Sequence, residues 1–522
     1  MTRGESTAHG GFFNVRVCGG WIIFLIPLAL VLLAVGSPRA LSPGRARNTS
    51  GQLHRPNGGS LAPSGSVYEA WVVPYIGQAQ AVAVDASGNV YVTGFTVSQH
   101  EYLTIKYDSA GQEQWIAQYS GPGNDDYARA IALDDFGNVL VTGYSRRFPS
   151  GDMDFATIKY NSAGQEQWVA RYNSPSNGYD LAYAIAIDSA ANVYVTGGGF
   201  GYATVKYNSA GQEQWVAHYT GNDTATSIAV DGSGNVYITG GGYGDYATIK
   251  YNSFGQQQWV ATYNGPGNGD DYALAIAIDG LGDVYVTGQS VGLGSSWDYA
   301  TIKYNASGQQ QWVARYNGPA NDIDSARALA LDDSGNVYVT GFSTGVGSAY
   351  DYATVKYNSA GQQQWLARYN GPGSTYDAPY AIAIDGSANA YVTGYGGTSH
   401  DYTTIKYSSD GQQQWIARYS SGTAYAIALD GLGNVYATGA SSTIKYVQGP
   451  APTATASPTP TATFTPTPTP TFTPTSTATA TAMATATATP ALTPTPTSTP
   501  RPTPTPRTEP TPRGRPTPPP RP

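Results

Sequence analysis

The chain has 522 residues, among them 63 Gly, 35 Pro, three Met and a single Cys, and a formal net charge of −8. That length is ample for a large core, one cysteine excludes a disulfide framework, and the acid excess disfavours nucleic acid as a partner. The surplus is not evenly spread: residues before 67 carry six Arg and one Glu, and residues after 447 carry five Arg and one Glu, so the acids concentrate between.

Residues 1–36 come first. The apolar run Trp21–Val35 follows Arg3 and Arg16 and leads into Gly36 and Ser37, the layout of a secretory signal peptide cut near Gly36. The run is shorter than the roughly 20 residues of a membrane span and holds Pro27, so an uncleaved N-terminal anchor is the second reading. Cys18 precedes the run and leaves with a cleaved signal. Residues 37–66, rich in Gly, Ser and Pro, read as a flexible linker.

From Val67 to Val447 one cassette recurs eight times. Its clearest copy has four segments, a to d: Ala275–Asp279, Val284–Gly288, Tyr299–Tyr304 and Gln311–Tyr316. Each is short, alternating and rich in Val, Ile, Tyr, Thr and Trp, which predicts a β-strand. Asp279-Gly280-Leu281-Gly282-Asp283 and Asn305-Ala306-Ser307-Gly308 supply the reversals between them. A four-stranded repeat of about 40–50 residues predicts a propeller blade. The Ala-Ile-Ala-Ile alternation of segment a suits a crowded centre, and the Trp of segment d (115, 168, 215, 259, 312, 365, 415) suits a wide outer rim.

Phase sets the blade number. Seven full sets run from Ala81 to Tyr419, and the eighth lacks a d segment after Thr443–Tyr446. An unaccompanied d-like piece, Glu69–Tyr75, opens the array and supplies what its end lacks. The fold expected is therefore all-β: an eight-bladed β-propeller over 67–447, built of four-stranded antiparallel blades, the last closed by the N-terminal strand. Without that strand the final blade exposes an unpaired edge. Residues 448–522 are almost wholly Thr, Pro and Ala, which cannot bury enough apolar surface to offset their ordering entropy. They read as a disordered Thr/Pro-rich stalk, partly polyproline II and open to O-glycosylation.

The stretch Asp-x-x-Gly-Asn-Val-Tyr-Val-Thr-Gly, as at Asp231–Gly240 and Asp332–Gly341, resembles the bacterial seven-bladed beta-propeller repeat (SBBP) family. The resemblance implies a propeller in an extracytoplasmic setting and no defined activity. The count of eight departs from the family's name. WD40 repeats fit poorly, because the only Trp-Asp pair, Trp297-Asp298, is expected in a loop.

Antiparallel parity puts the a–b and c–d turns on one rim and the b–c and d–a loops on the other. The first rim is monotonous, whereas the second varies in length and content, so it is the candidate binding face. Its acids are Asp125, Asp126, Asp180, Asp223, Asp270, Asp271, Asp322, Asp324 and Asp377 from d–a loops, with Asp152, Asp154, Asp245, Asp298, Asp351 and Asp401 from b–c loops. Calcium wants six to eight such oxygens, yet no loop has the spacing of a dedicated site, so turn acids and strand starters are the favoured reading and no cofactor is expected. Phe148, Tyr179, Phe200, Tyr243, Trp297, Tyr350 and Tyr376 are the aromatics placed there to stack on sugar or anchor a protein. Asp125, Asp126, Phe148, Asp270, Asp271, Trp297, Asp322, Asp324 and Tyr350 form the candidate ligand set.

Two catalytic look-alikes fail. Gly288–Gly292 and Gly341–Gly345 match Gly-x-Ser-x-Gly, but both fall at the same b–c position between two strands, where a nucleophile elbow needs strand, turn and helix. His100 and His400 sit in loops of blades one and seven, too far round the ring to share a metal. The Lys recurring in strand c (106, 159, 206, 250, 303, 356, 406, 445) reads as a structural pairing element rather than an anion funnel. The expected function is an exported, non-catalytic, monomeric scaffold for surface protein or polysaccharide, touching membrane only through an uncleaved N-terminus. A secreted carbohydrate-active enzyme using Asp270 or Asp324 is the rival, and a purely structural wall protein the third reading.

Overall fold

The computed structural model describes residues 66–449 apart from 200, 221–223, 242–243 and 421. The segments read as signal, linker and stalk lie outside the described residues except Ser66, Gln448 and Gly449, as do Phe200, Asp223 and Tyr243. Every described regular element is a strand: 32 of them form eight four-stranded antiparallel sheets. Seven sheets take their strands in sequence order a-b-c-d. The eighth runs Val67–Pro74, Ser442–Gln448, Val435–Gly439, Ala424–Leu429, so the first strand is the outermost of the last blade. Its register pairs Trp71 with Lys445 and Val72 with Ile444, and the Gly449 N–H donates to the Ser66 carbonyl at 2.9 Å. The expected closure is what the molecule has.

Turn chemistry explains the first reversal of each blade. In Asp85–Asn89 the Asp85 Oδ1 accepts from the N–H groups of Ser87 and Asn89, and Oδ2 accepts from the Asn89 side chain and the Tyr91 hydroxyl. Gly88 takes the left-handed conformation that this geometry needs, at φ 79°. The Asp, Gly and Asn of the motif thus each have one job. Beyond the turn, Thr93 and Thr104 join strands b and c through buried hydroxyls 2.9 Å apart, a pair repeated in every blade down to Thr438 and Thr443.

The core is a circle of interfaces between blades. One cluster joins Ala81, Ala83, Tyr91, Tyr102 and Ala117 of blade one to Ala128, Ile131, Val139, Val141, Ala156 and Ile158 of blade two. The ring closes the same way, with Ala426 and Tyr436 of blade eight packed against Val82, Val90 and Val92 of blade one. Burying each such large side chain is worth about 2 kcal/mol, so the seam is as apolar as any other join. Small Ala at the inner strands lets neighbouring blades approach, as the alternation predicted.

Tryptophan fastens the outer rim. Trp115 Nε1–H donates to the Ser162 carbonyl in the next blade's c–d turn at 3.1 Å, and Trp312 does the same to Ser359 at 3.0 Å. Gly164, at φ 79°, lies so near the Trp115 indole that a Cβ would stand 2.6 Å from it. Trp71 makes the equivalent bond to Ser109 across the chain-end seam at 3.2 Å. The strand-c lysines serve the same joins: Lys206 and Lys356 donate to turn carbonyls of the following blade, and each Nζ sits over its own blade's strand-b Tyr ring at 5.0 and 4.7 Å. Lys159 and Lys303 add ion pairs to Asp134 and Asp283. The structural reading of the lysine ring matches these contacts.

Candidate binding face

The variable loops are stitched into one surface by the backbone. The N–H that opens strand a of one blade donates to the b–c region of the blade before it: Asp180 to Met153, Asp271 to Gly244 and Asp377 to Tyr350, each at 2.7 Å. Loops far apart in sequence therefore share a rigid footing, and their acids divide into two populations.

The first population clasps the loops. Asp126, Asp271 and Asp324 are fully buried where strand a begins. Asp126 Oδ2 accepts from the Gly121 N–H at 2.7 Å, Asp271 Oδ2 from Gly265 at 2.6 Å and Asp324 Oδ2 from Gly318. Asp271 Oδ1 also takes the N–H of Val291, the last residue of strand b in its own blade, at 2.9 Å. Asp180 and Asp377 repeat the arrangement on Ser174 and Gly371. Burial raises all five carboxyls above their usual range, and the donated hydrogen bonds offset only part of that.

An arginine completes the clasp in three blades. Arg315 Nη1 donates to the Ser290 hydroxyl at 2.7 Å and to Tyr263 of the previous blade at 2.9 Å, while Nη2 meets Asp298 at 2.9 Å. Arg171 with Ser145 and Asp154, and Arg368 with Ser343 and Asp351, do the same. Ser290 and Ser343, the centres of the two Gly-x-Ser-x-Gly matches, are thus fully buried arginine partners, and Ser145 holds the same place without the second Gly. The motif is a product of the repeat.

The second population is accessible. Asp270 and Asp322 are exposed, and Asp125 is half-buried. Asp125 accepts from His100 Nδ1 at 2.9 Å and from the Tyr127 hydroxyl at 3.0 Å, with Arg146 at 3.5 Å. Among the aromatics, Phe148 is 74% exposed, Tyr179 56% and Tyr376 53%. Tyr350 is half-buried between Phe342 and Tyr376, with ring centroids 4.3 and 5.1 Å away. Trp297 does not lie in a loop as its sequence context suggested. It begins strand c, Trp297–Tyr304, because strands b and c of this blade run on to pair Val291 with Trp297. Its Nε1–H donates to the Asp270 carbonyl at 3.1 Å and its ring meets Tyr272 edge-on, which leaves it part of the wall rather than a free platform.

Of the nine candidate ligand residues, Asp126, Asp271 and Asp324 are committed to backbone N–H groups and Trp297 to packing. Phe148, Asp270 and Asp322 face solvent, and Asp125 and Tyr350 sit in small clusters. The Ser–Asp–Arg clasp joins strands b, c and d and so is invisible within any one loop, although the sequence carries a signal for it. Arg in Gln-Trp-x-Ala-Arg-Tyr accompanies Ser145, Ser290 and Ser343, each two places after the Thr-Gly of strand b; three of the blades without that Ser carry Gln118, His218 and Thr262 in place of the Arg, while blade seven keeps Arg418 beside Gly396.

The SBBP beta-propeller repeat model matches residues 114–146, 214–247 and 311–347. Each match starts in strand d of one blade and ends at or beyond the end of strand b of the next, so the sequence repeat and the structural blade are out of step. No curated protein sequence matches the chain. Solved structures similar to it include BamB from Moraxella catarrhalis, 15% identical, covering 73% of this chain and 97% of that one at a TM-score of 0.44. The Dos1 propeller is 11% identical over 72% and 96% at 0.48, and a streptogramin B lyase 12% identical over 74% and 98% at 0.40. At these three places the chain matches the SBBP beta-propeller repeat, and its described strands build eight blades.

Proposed function

We propose that the protein is an exported, non-catalytic scaffold whose b–c and d–a loops present a binding face to a surface protein or polysaccharide. The observation that carries this is the exposure of Phe148, Tyr179 and Tyr376 on one rim, over loops that buried carboxylates hold in place. Exposed aromatic side chains on a rigid footing bind at low entropic cost. Asp324, one of the two acids an acid–base reading would use, is consumed in making that footing, which supports recognition over acid–base chemistry.

The test is retention of a partner by the full chain on glycan arrays and in surface-proteome capture, compared with a Phe148→Ser, Tyr179→Ser, Tyr376→Ser variant. The reading expects a discrete glycan or protein that the wild type retains and the variant loses. Equal retention by both, or turnover of a captured glycan, contradicts it. Export is tested separately by fractionation and by N-terminal sequencing of the mature chain, which should begin just after Gly36.

A further inference from the structure

Each inner strand contains one bulge at the same place. The pairing with strand b skips a residue between Ala79 and Ala81, Ala128 and Ala130, Ala182 and Ala184, Ala225 and Ser227, Ala273 and Ala275, Ala326 and Ala328, Pro379 and Ala381, and Ala424 and Ala426. A bulged residue leaves the ladder and re-aims its side chain. Strand a is the innermost of its sheet and packs against strand a of both neighbours, so the eight skipped residues form a circle at the axis.

Within the Ala-x-Ala core of strand a, where Ser227 and Pro379 are the only departures from the flanking Ala, x is varied: Gln80, Arg129, Tyr183, Thr226, Leu274, Arg327, Tyr380 and Tyr425. Several of these side chains reach the neighbouring blade's inner strand. Arg129 Nη1 donates to Gln80 Oε1 at 3.1 Å, Thr226 donates to the Ala273 carbonyl at 2.8 Å, and the Tyr380 and Tyr425 rings lie 5.6 Å apart. A position that serves packing alone would be small and uniform, like the Ala on either side of it.

The two arginines stand in blades two and six, opposite each other. Among the described residues neither forms an ion pair with a carboxylate, unlike Arg171, Arg315 and Arg368. Arg129 is 93% buried and Arg327 half-buried, and the Nε of each is buried without a hydrogen-bond partner. The Arg327 guanidinium stacks over Phe342 at 5.0 Å, and burial pushes its pKa down from the ordinary value. Burial also raises the Tyr380 and Tyr425 phenols, and Arg327 and Arg129 respectively pull them partly back, so both charges are felt across the circle. A desolvated guanidinium without a counter-charge is unfavourable in the folded state. Rings run from the surface to it: Tyr376, Tyr350 and Phe342 follow one another down to Arg327.

We propose that this axial circle is an anion site that takes the carboxylate of a sugar acid, a hexuronate, on the Arg327 guanidinium, with Arg129 facing it and Tyr183, Tyr380 and Tyr425 around the sugar. The planar carboxylate matches the guanidinium fork, and tyrosines offer both ring faces and hydroxyls to a pyranose. The acidic surplus of the repeats opposes long polyanions, whereas a singly charged unit is admitted. These residues belong to the inner strands and not to the loops of the binding face, so the site stands whether or not that face has a partner.

Isothermal titration of the full chain with sodium glucuronate, glucose and sodium sulfate tests this. Glucuronate should bind and raise the Tm, with glucose silent and sulfate weaker. Arg327→Met should weaken glucuronate by about tenfold or more, Arg327→Lys by less, and Lys250→Met, in strand c away from the axis, not at all. A second readout separates this from a structural role: without ligand, Arg327→Met should leave the Tm unchanged or higher, because an uncompensated charge is removed. Glucose binding as tightly as glucuronate, sulfate binding as tightly, no response to any probe, or a lowered Tm of ligand-free Arg327→Met each overturns the assignment.

Discussion

Six of the eight a–b turns place glycine in the left-handed position, and the other two place Ala191 and Ala388 there, at φ 58° and 61°. An L-residue in that region is unfavourable by roughly 1–2 kcal/mol, against which glycine loses some chain entropy. Ala388→Gly is therefore expected to stabilise the ring by about 0.5–1 kcal/mol in denaturant titration, and an unchanged or lower midpoint would contradict that. Carboxyl titration at the same scale has two opposed parts. The buried clasps Asp126, Asp180, Asp271, Asp324 and Asp377 are raised, so the folded state holds their protons more tightly and stability falls as pH climbs from the unfolded value through the folded one. In the turns, Asp85, Asp231, Asp385 and Asp430 are lowered: burial alone would raise them, but hydrogen bonds from Asn89, Asn235, Asn389 and Asn434 prevail. Their contribution is present above the unfolded value of about 3.9 and is lost as pH drops through the folded one. Stability should accordingly rise as pH is lowered through the folded values of the clasps toward about 4 and decline only below that, and a decline that sets in above that point would refute the assignment. The sequence shows that these acids lie in loops, but not that a carboxylate reaches back five or six residues to a glycine or serine N–H. That depends on how the d–a loop folds over its neighbour.

Strands and turns were legible because each carries a local signal: alternation, Asx-Gly reversals and a Trp per outer strand. What joins one element to the next was not, since the partner sits in another copy of the cassette. The tryptophan staple is the clearest case. Seven indoles donate to a c–d turn of the following blade, from Trp71 on Ser109 to Trp365 on Ser409. Trp415 precedes the one blade whose strands c and d come from opposite chain ends, so no such turn awaits it, and its Nε1 is buried without a partner. Gln448 partly fills the place, donating to the Gly433 carbonyl at 2.7 Å and to the Tyr391 hydroxyl at 3.0 Å. Trp312→Phe should cost about 1 kcal/mol more than Trp415→Phe, because only the first forfeits a hydrogen bond and strands a carbonyl. Equal losses in thermal unfolding would mean that the bond contributes nothing beyond ring packing. The inner bulges were equally hidden: Ala-x-Ala-Ile-Ala reads as plain alternation, and only the pairing shows that x leaves the ladder.

For the whole molecule, phase along the chain was enough to foresee the architecture, because a cassette that starts on its fourth strand and ends on its third has one economical way to bury both edges. The working surface was legible only as a rim, since which acids stay accessible depends on contacts between blades that no single copy reveals. Closure also explains why two segments 336 residues apart, Lys445 and Ser109, share a hydrogen bond of 3.0 Å. Should the ring open at the seam, strand Ser442–Gln448 would become a bare edge and Tyr75, whose hydroxyl donates to the Leu103 carbonyl at 2.7 Å, would lose its place. Backbone hydrogen exchange across Ser442–Gln448 in the full chain measures this most directly. The closed ring predicts protection there equal to that of the interior strand Tyr299–Tyr304, and its collapse when residues 67–75 are deleted. Exchange as fast as in the exposed loops of the intact chain, or protection untouched by the deletion, would contradict it.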